Sequence, residues 1–510
     1  MQPILSTKDL LLKKLSKTDL STDSYFYVVV LILYLVVAYN SSGYYHFDEH
    51  FQVIEFANYK MGNTSSSDLA WEFSSRLRSS FQPALCFTVF KICNSIGLDD
   101  SYQLSFILRA LTAVFSISAI RFFIQSFKHA VINDYRNLFV LMSYFIWFLP
   151  YINVRFSSET CSGVCFVFAL GLIGRPNPRR TNFQGICLGI VLGISILFRY
   201  QTAIMVCGAI LWLIVFEGES KKRLAVIIFS IIAVLSTGVV IDIWFYGDFN
   251  LTIYNYVYIN LIKDVASQFG ASPWYEILYY IFFSTGPLGI LISIAYLIMV
   301  FYEPKSVFIW TTLPFLVVHS IVPHKELRFL FPLANLVPII LILGFQHFSR
   351  LKLLPPRGIG LALLILFITI NSIGLGATVF RGAGDAKVAV GEYIHKKYAQ
   401  QKINLICVNG INPYIDWQSP KDTFYLHSNI SRIIVPTIWG PDPFNQQLGD
   451  VTLLLIRQED ITGPRTLALL ENNGFTLVFE NFNAFERIIT EFYDSSFFDQ
   501  EIFVYELQKN

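Results

Sequence analysis

An all-α polytopic membrane protein with a small α/β domain at its C-terminal end is the fold class this 510-residue sequence predicts. Three observations predict it. The chain is 54% hydrophobic and 15% charged, where soluble domains carry about 25% charged residues. Apolar runs recur from residue 25 to residue 380. After residue 380 the apolar content falls, and helix-like and strand-like patterns replace the long runs. The 38 Lys and Arg nearly balance the 36 Asp and Glu, which excludes the basic field of a nucleic-acid binder.

In chain order, residues 1–24 are polar and basic-leaning and read as a cytoplasmic N-terminus. No small-residue cleavage site follows the first apolar run, so that run reads as an uncleaved span. About eleven spans follow from the apolar pattern, at residues 25–39, 104–127, 138–149, 161–173, 183–198, 204–216, 224–245, 277–301, 308–321, 329–345 and 359–380. Several are short of the roughly 20 residues a crossing needs, which points to broken or extended helices. Residues 25–380 form the membrane domain, with a first large loop at 40–103, and residues 381–510 form the tail. In the tail "DAKVAVGEYIHKKYAQ" reads as helix, and "INLICV", "VTLLLI", "FTLVFE" and "EIFVYEL" read as strands. Seven cysteines, several inside apolar runs (Cys161, Cys165, Cys187, Cys207), show no CxxC or zinc spacing and read as core residues.

Charge then orients the spans. The basic loops "KKLSK", "FKHAVINDYR", "GRPNPRR", "ESKKR", "EPK" and "SRLKLLPPR" fall on one side, which the positive-inside rule makes cytoplasmic. The opposite side receives the 40–103 loop, residues 150–160, the turn at Arg199, residues 246–276, "PHKELR" and the tail.

Ionisable residues at a membrane boundary are costly unless paired or used, and they gather on that second side. "YYHFDEHFQVIEF" brings His46, Asp48, Glu49, His50 and Glu55. "AWEFSSRLRSSFQP" adds Trp71, Glu72, Arg76 and Arg78. Arg155 and Glu159 follow, then Arg199, Asp242 and Asp248, and "HKELR" brings His324, Lys325, Glu326 and Arg328. Acids in one group and bases in another suit sugar transfer from a lipid phosphate. A carboxylate takes the proton of an acceptor hydroxyl, cations hold the phosphate as it leaves, and Trp71 and Trp274 offer flat faces to sugars. The bland alternatives are a solvated ion-paired loop, and an i,i+4 helix pair for Arg155 and Glu159. His46 and His50 bracket the acids without a known metal spacing, so no metal is predicted, although a divalent ion is compatible with the cluster. Asn40, Asn63, Asn250 and Asn429 head N-x-S/T tripeptides.

These stretches resemble glycosyltransferase family 22, the lipid-phosphate-mannose-dependent mannosyltransferases. "HFDEHFQVIEF" is similar to the family's first-loop "HPDEhfQ…E", with Phe47 where the family has Pro. "AWEFSSRLRSSFQP", "FRYQTA", "YGDFNLTIYNYVYIN", "FGASPWYEILYYIFFSTGPLG" and "HKELRFLFP" resemble its later motifs in order, over residues 44–332. "LICVNGINPYIDW" resembles the branch that builds the glycosylphosphatidylinositol (GPI) anchor, departing at Val408 and Asn409.

The resemblance implies a GT-C fold and inverting transfer of mannose from dolichyl or polyprenyl phosphate to a lipid-linked or GPI-type glycan, with no cofactor required. It implies a catalytic pair of Asp48, as base, and its neighbour Glu49. It assigns donor-phosphate binding to His324, Lys325, Arg328 and Arg199, and substrate contacts to His46, His50, Trp71, Glu72, Arg76, Arg78, Arg155 and Glu159. The chain would sit in the endoplasmic reticulum membrane of a eukaryote or the inner membrane of a bacterium, with its tail extracytoplasmic. A transferase for another lipid-linked sugar has the same layout. A lipid-linked sugar transporter would instead place polar groups near the bilayer midplane, and a purely structural subunit leaves the acid–base layout without a purpose.

Overall fold

The computed structural model describes residues 19–176, 181–351, 356–383, 386–414, 423–439, 449–461, 463–482 and 501–508. The run "KKLSK" lies outside them, as do residues 177–180 of "GRPNPRR", 352–355 of "SRLKLLPPR" and 415–417 of "LICVNGINPYIDW". The chain divides into two compact units. One comprises Met1–Tyr39, Ser75–Ala84 and Leu108–Phe380, and the other Asn40–Ser74, Leu85–Ile107 and Arg381–Asn510. Most of the first loop thus groups with the tail.

Every predicted apolar run is wholly or mostly helical. Among the described residues four helices are long and apolar enough to cross a membrane, namely Ser101–Ala130, Lys221–Tyr246, Leu327–Arg350 and Gly358–Phe380, or up to six spans if each of two bent pairs counts as one. Shorter apolar helices occupy Ser24–Asn40, Ser158–Gly174, Asn182–Phe198 and Tyr200–Val215. Not all eleven runs therefore arrive as single full-length helices, and the interruptions have local causes. Run 277–301 is cut into Glu276–Ser284 and Pro287–Tyr302. Gly286 takes φ 62° there, and Pro287 has no N–H with which to continue the ladder. Run 138–149 is cut at Ile146, which is extended, and the pieces bend by 55°.

Within the first unit, helix starts are written locally. The Ser157 hydroxyl accepts the Thr160 N–H at 3.1 Å, and Thr181 with Gln184 forms a capping box. Small residues then set the packing. Gly185, Gly189 and Gly193 recur every fourth residue on helix Asn182–Phe198. A Cβ at Gly189 would stand 2.6 Å from Ser230 Cβ, and one at Gly193 2.8 Å from Val234 Cβ, so this stripe seats helix Lys221–Tyr246.

A second close approach builds the site. A Cβ at Gly163 would stand 2.6 Å from the Cα of Pro332, so segment Leu327–Leu336 lies backbone-to-backbone on helix Ser158–Gly174. Glu159 precedes Gly163 by four residues and Arg328 precedes Pro332 by four, and the two side chains meet at 3.2 Å. Gly163→Ala is expected to destabilise the detergent-purified protein by about 1–3 kcal/mol, because backbone must move to admit the methyl. A thermal-unfolding scan matching wild type would disprove this.

Among the described residues the second unit contains a five-stranded sheet of order β2-β1-β3-β5-β4. Its strands are β1 (Ile403–Val408), β2 (Ile430–Val435), β3 (Val451–Arg457), β4 (Phe475–Glu480) and β5 (Ile502–Leu507). β1 pairs in parallel with β2 and β3, while β5 runs antiparallel to β3 and β4. β1 is buried along its whole length, as a parallel strand covered on both faces must be. Ile406, Leu454, Ile456, Leu470 and Phe475 are among the residues of the core on one side.

The first loop is stapled to the tail inside this unit. Glu55 accepts the N–H groups of Thr423 and Phe424 at 2.7 Å each and the Thr423 hydroxyl at 2.6 Å. Phe424 stacks on Phe90, and its carbonyl accepts the Ser101 hydroxyl at 2.5 Å. Burial works against the Glu55 charge, yet His50 beside it and the donors of residues 423–424 hold its carboxyl below the ordinary range.

Candidate active site

In the first unit, cations converge on one carboxylate. Glu159 Oε1 accepts from Arg199 Nη1 at 2.5 Å and from Arg328 Nη1 at 3.2 Å. All three side chains are buried. Glu159 is placed by the Ser157 cap one residue before its helix, Arg199 by the turn that ends helix Asn182–Phe198, and Arg328 by the Gly163–Pro332 approach. Phe329 lies beneath both guanidinium groups, 5.0 Å from Arg199 and 5.6 Å from Arg328. Arg328 also donates to Glu326 at 2.5 and 3.2 Å, and the same carboxylate meets His324 Nε2 at 2.7 Å. That hydrogen bond lifts the His324 pKa above its ordinary value, with burial working against it.

Arg78 joins this group through charge. Burial opposes the charge of Arg199 and Glu159 supports it, while Arg328 and Arg78 both press against it. The Arg78 guanidinium stands 5.8 Å from the ring centre of Tyr256, whose hydroxyl is bonded by Gln201. Arg76 pairs with Asp248 at 2.6 Å. Three arginines share one neighbourhood with Glu159 and Glu326, a cluster of cationic donors of the kind that holds a phosphate.

Lys325 is spent differently. Its ammonium donates to the carbonyls of Val322, Ser272 and Pro323 at 2.6, 2.9 and 3.3 Å, which uses all three of its N–H groups. It braces the turn that presents His324 and Arg328. Arg155 caps helix Phe148–Val154, buried, with Tyr151 5.8 Å beneath its guanidinium. Helix breaks at Arg155 and restarts at Ser158, so Arg155 and Glu159 do not form the i,i+4 pair of a single helix.

The remaining predicted site residues belong to the second unit. Asp48 sits in the short turn Phe47–Glu49, capped by His46 Nδ1, which accepts the Asp48 N–H at 3.2 Å. The Asp48 carboxylate lies 3.6 Å from the same nitrogen with 13% of its side chain exposed, whereas Glu49 is buried. The chain continues as a π-helical turn, His50–Ile54, a geometry frequent at functional sites. His50 is fully buried between Tyr44 and Tyr425, at 5.3 and 5.2 Å, with Glu55 Oε1 3.5 Å from its Nε2. Glu72 is buried and accepts from Gln52 at 2.8 Å, and Trp71 is exposed. Among the described residues no three His, Cys, Asp or Glu side chains are placed to hold a metal ion. The structure therefore brings together Glu159, Arg199, Arg328, His324 and Arg78, and separately His46, Asp48, Glu49 and His50. Sequence reasoning missed Tyr256, Gln201 and Phe329, which carry no charge, and it left Glu326 without a role although "HKELRF" contains it.

Residues 25–417 match the Alg9-like mannosyltransferase family, a stretch that takes in both the first-loop acids and the "HKELR" turn. The chain belongs to this family. Relatives in the family include the GPI alpha-1,2-mannosyltransferase 3 of Bos taurus, 24% identical over 353 residues, covering 66% of this chain and 60% of that one. The GPI mannosyltransferase 3 of Candida albicans is 23% identical over 344 residues, covering 66% and 67%. That of Yarrowia lipolytica is 26% identical over 324 residues, covering 61% and 60%. The match to the bovine and Y. lipolytica relatives thus spans about three fifths of their length. Among solved structures, ArnT from Cupriavidus metallidurans bound to undecaprenyl phosphate is similar with a TM-score of 0.48 and 12% identity, over 95% of this chain and 98% of that one.

Within this Alg9-like chain, one N-x-S/T tripeptide is built into the fold. Asn250 and Thr252 are buried, and the Thr252 hydroxyl is bonded to Asp242 at 2.7 Å.

Proposed function

We propose that this chain moves mannose from a polyprenyl or dolichyl phosphate donor to a hydroxyl of a lipid-linked or GPI-type glycan, at the extracytoplasmic face of its membrane and with inversion. The observation that supports it most is the buried convergence of Arg199 and Arg328 on Glu159 with Arg78 nearby. In the reaction the acceptor oxygen bonds to the mannose anomeric carbon as the bond from that carbon to the phosphate oxygen breaks. The acceptor proton goes to Asp48, and the bonding electrons leave with the lipid phosphate. The donor carries one phosphate charge and the departing lipid phosphate two, so cations favour the transition state over the ground state. Arg199, Arg328 and His324 supply that field, Arg78 holds the donor in the ground state, Lys325 braces the turn, and Glu159 keeps the guanidinium groups aligned. In the same reading Glu49 accompanies Asp48, and His46, His50, Trp71, Glu72, Arg76 and Arg155 contact the substrates.

The test supplies purified protein in lipid with a short-chain polyprenyl phosphate mannose and a mannosylated glycolipid. A new glycosidic bond supports the reading. Movement of donor across vesicles with no bond formed would establish a transporter in its place, and turnover only with another polyprenyl phosphate sugar would correct the donor.

His324 gives the proposal a pH signature. Its pKa is raised, so its contribution to donor binding is complete below the ordinary histidine value and is lost as pH rises through the elevated one. Donor affinity measured across about pH 6 to 9 should therefore fall toward the alkaline end, and His324→Gln should flatten that limb. The same slope in both proteins would remove His324 from the phosphate site.

A further inference from the structure

We infer that Asp242 is a positioning residue that aims Arg78. The inference rests on the reading above that Arg78 contacts the donor. Residues 75–80 form an irregular stretch with no helix ladder, so other hydrogen bonds must fix its course. Alternate residues of it are captured by one other segment. Asn255 Nδ2 donates to the carbonyl of Arg76 at 3.2 Å, and the Tyr246 hydroxyl to the carbonyl of Arg78 at 2.8 Å. Asp242 Oδ1 accepts both the N–H and the hydroxyl of Ser80, at 2.7 and 2.6 Å. The three anchors come from residues 242–255, and Asp242 makes the bonds to Ser80 at the end of the stretch.

Asp242 is 2% exposed, and both of its carboxylate oxygens are used. Oδ2 accepts the Thr252 hydroxyl at 2.7 Å, and that oxygen is in turn bonded to the hydroxyl of Tyr200, next to Arg199. A buried charge is tolerated only when its lone pairs are met, and here the donors come from residues 80 and 252. No neutral side chain of this size offers two oxygens as acceptors. The stretch it holds is not one the chain adopts unaided, since Arg76 lies at φ 49°, in the left-handed region. With the backbone tied at 76, 78 and 80, Arg78 leaves it from a fixed point, toward the Tyr256 ring and the charge of Arg199. The arginine motif "RLRSS" and the "YGDFNLTIYN" motif are thus halves of one substructure, and Asp242 is the joint between them.

Donor kinetics of purified Arg78→Ala, Asp242→Ala, Asp242→Asn and the double variant Asp242→Ala/Arg78→Ala test this. Arg78→Ala and Asp242→Ala should each raise the donor KM about tenfold while leaving kcat within about threefold. The double variant should be no worse than Arg78→Ala, because the tether then has nothing to aim. Asp242→Asn, which keeps an acceptor for Ser80, should recover most of the affinity. If Arg78→Ala raises KM but Asp242→Ala does not, or if the two effects multiply, the inference is overturned while the donor role of Arg78 stands. An unchanged KM in Arg78→Ala overturns the donor role and the positioning claim with it. Should Asp242→Ala fail to fold, Thr252→Val removes one of its donors. A KM shift in the same direction then supports the tether, and an unchanged KM overturns it.

Discussion

Asp48→Asn should lower mannosyl transfer by about 10²–10⁴-fold, the usual worth of a positioned general base, and leave donor-lipid affinity unchanged. The choice of Asp48 over its neighbour follows from burial. Glu49, His50, Gln52, Glu55 and Glu72 are all buried; Gln52 bonds to Glu72, Glu55 to Thr423, and His50 stacks on Tyr425. Asp48 keeps part of its side chain in solvent, at the edge of a turn whose cap is His46. A base must be ionised to act, and the His46 cap takes up the Asp48 backbone N–H rather than its carboxylate. Asparagine keeps the shape and the turn but cannot take a proton, so the loss should appear in kcat with donor Kd preserved. Glu49→Gln should cost far less turnover and show its effect in stability. Equal turnover in wild type and Asp48→Asn would end the assignment of this base, whatever the fate of the cationic cluster.

Much of this arrangement was legible in the sequence, for a physical reason. Charged residues beside apolar runs are costly, so their presence there announces a use. This is how Asp48, Glu159, Arg199, His324 and Arg328 stood out before any geometry. The strands at β1, β3, β4 and β5 were legible too, because "INLICV" and its companions are apolar and β-branched. Strand β2, "ISRIIV", was not, since an edge strand shows one side to solvent and this one carries Ser431 and Arg432. Helix Pro464–Asn472 was missed because only a narrow face of it, Thr466 and Leu470, is buried. The role of Lys325 was invisible for a different reason. Sequence shows a cation in a basic turn, and only coordinates show that all three of its protons go to carbonyl oxygens. The union of the first loop with the tail was hidden in the same way, because Glu55 bonds to residues more than 360 positions later.

Arg199→Leu should destabilise the folded protein by about 3–5 kcal/mol, the cost of breaking a buried ion pair from one side. Glu159 is shared between two guanidinium groups, but unequally. Arg199 holds it at 2.5 Å and Arg328 at 3.2 Å, and Arg328 is also committed to Glu326. Removing Arg199 takes the closer guanidinium from a buried carboxylate that Arg328 and the Ser158 hydroxyl, at 3.1 Å, still contact. Removing Glu159 as well, in Arg199→Leu/Glu159→Leu, takes away the stranded charge and should recover most of the stability, since a buried pair replaced by apolar groups is often neutral. Activity separates the structural role from the functional one. If the arginine serves only the fold, the double variant regains donor binding with its stability. If it serves the lipid phosphate, the double variant folds and still fails to bind donor. Arg199→Lys sharpens the contrast. A lysine can reach one acceptor, but it cannot reproduce the planar guanidinium that meets Glu159 and Ser158 while lying over Phe329. It should fold nearly as well as wild type and bind donor more weakly. Denaturation in detergent and donor titration on the same preparations decide it, and a double variant that binds donor like wild type would place Arg199 outside the phosphate site.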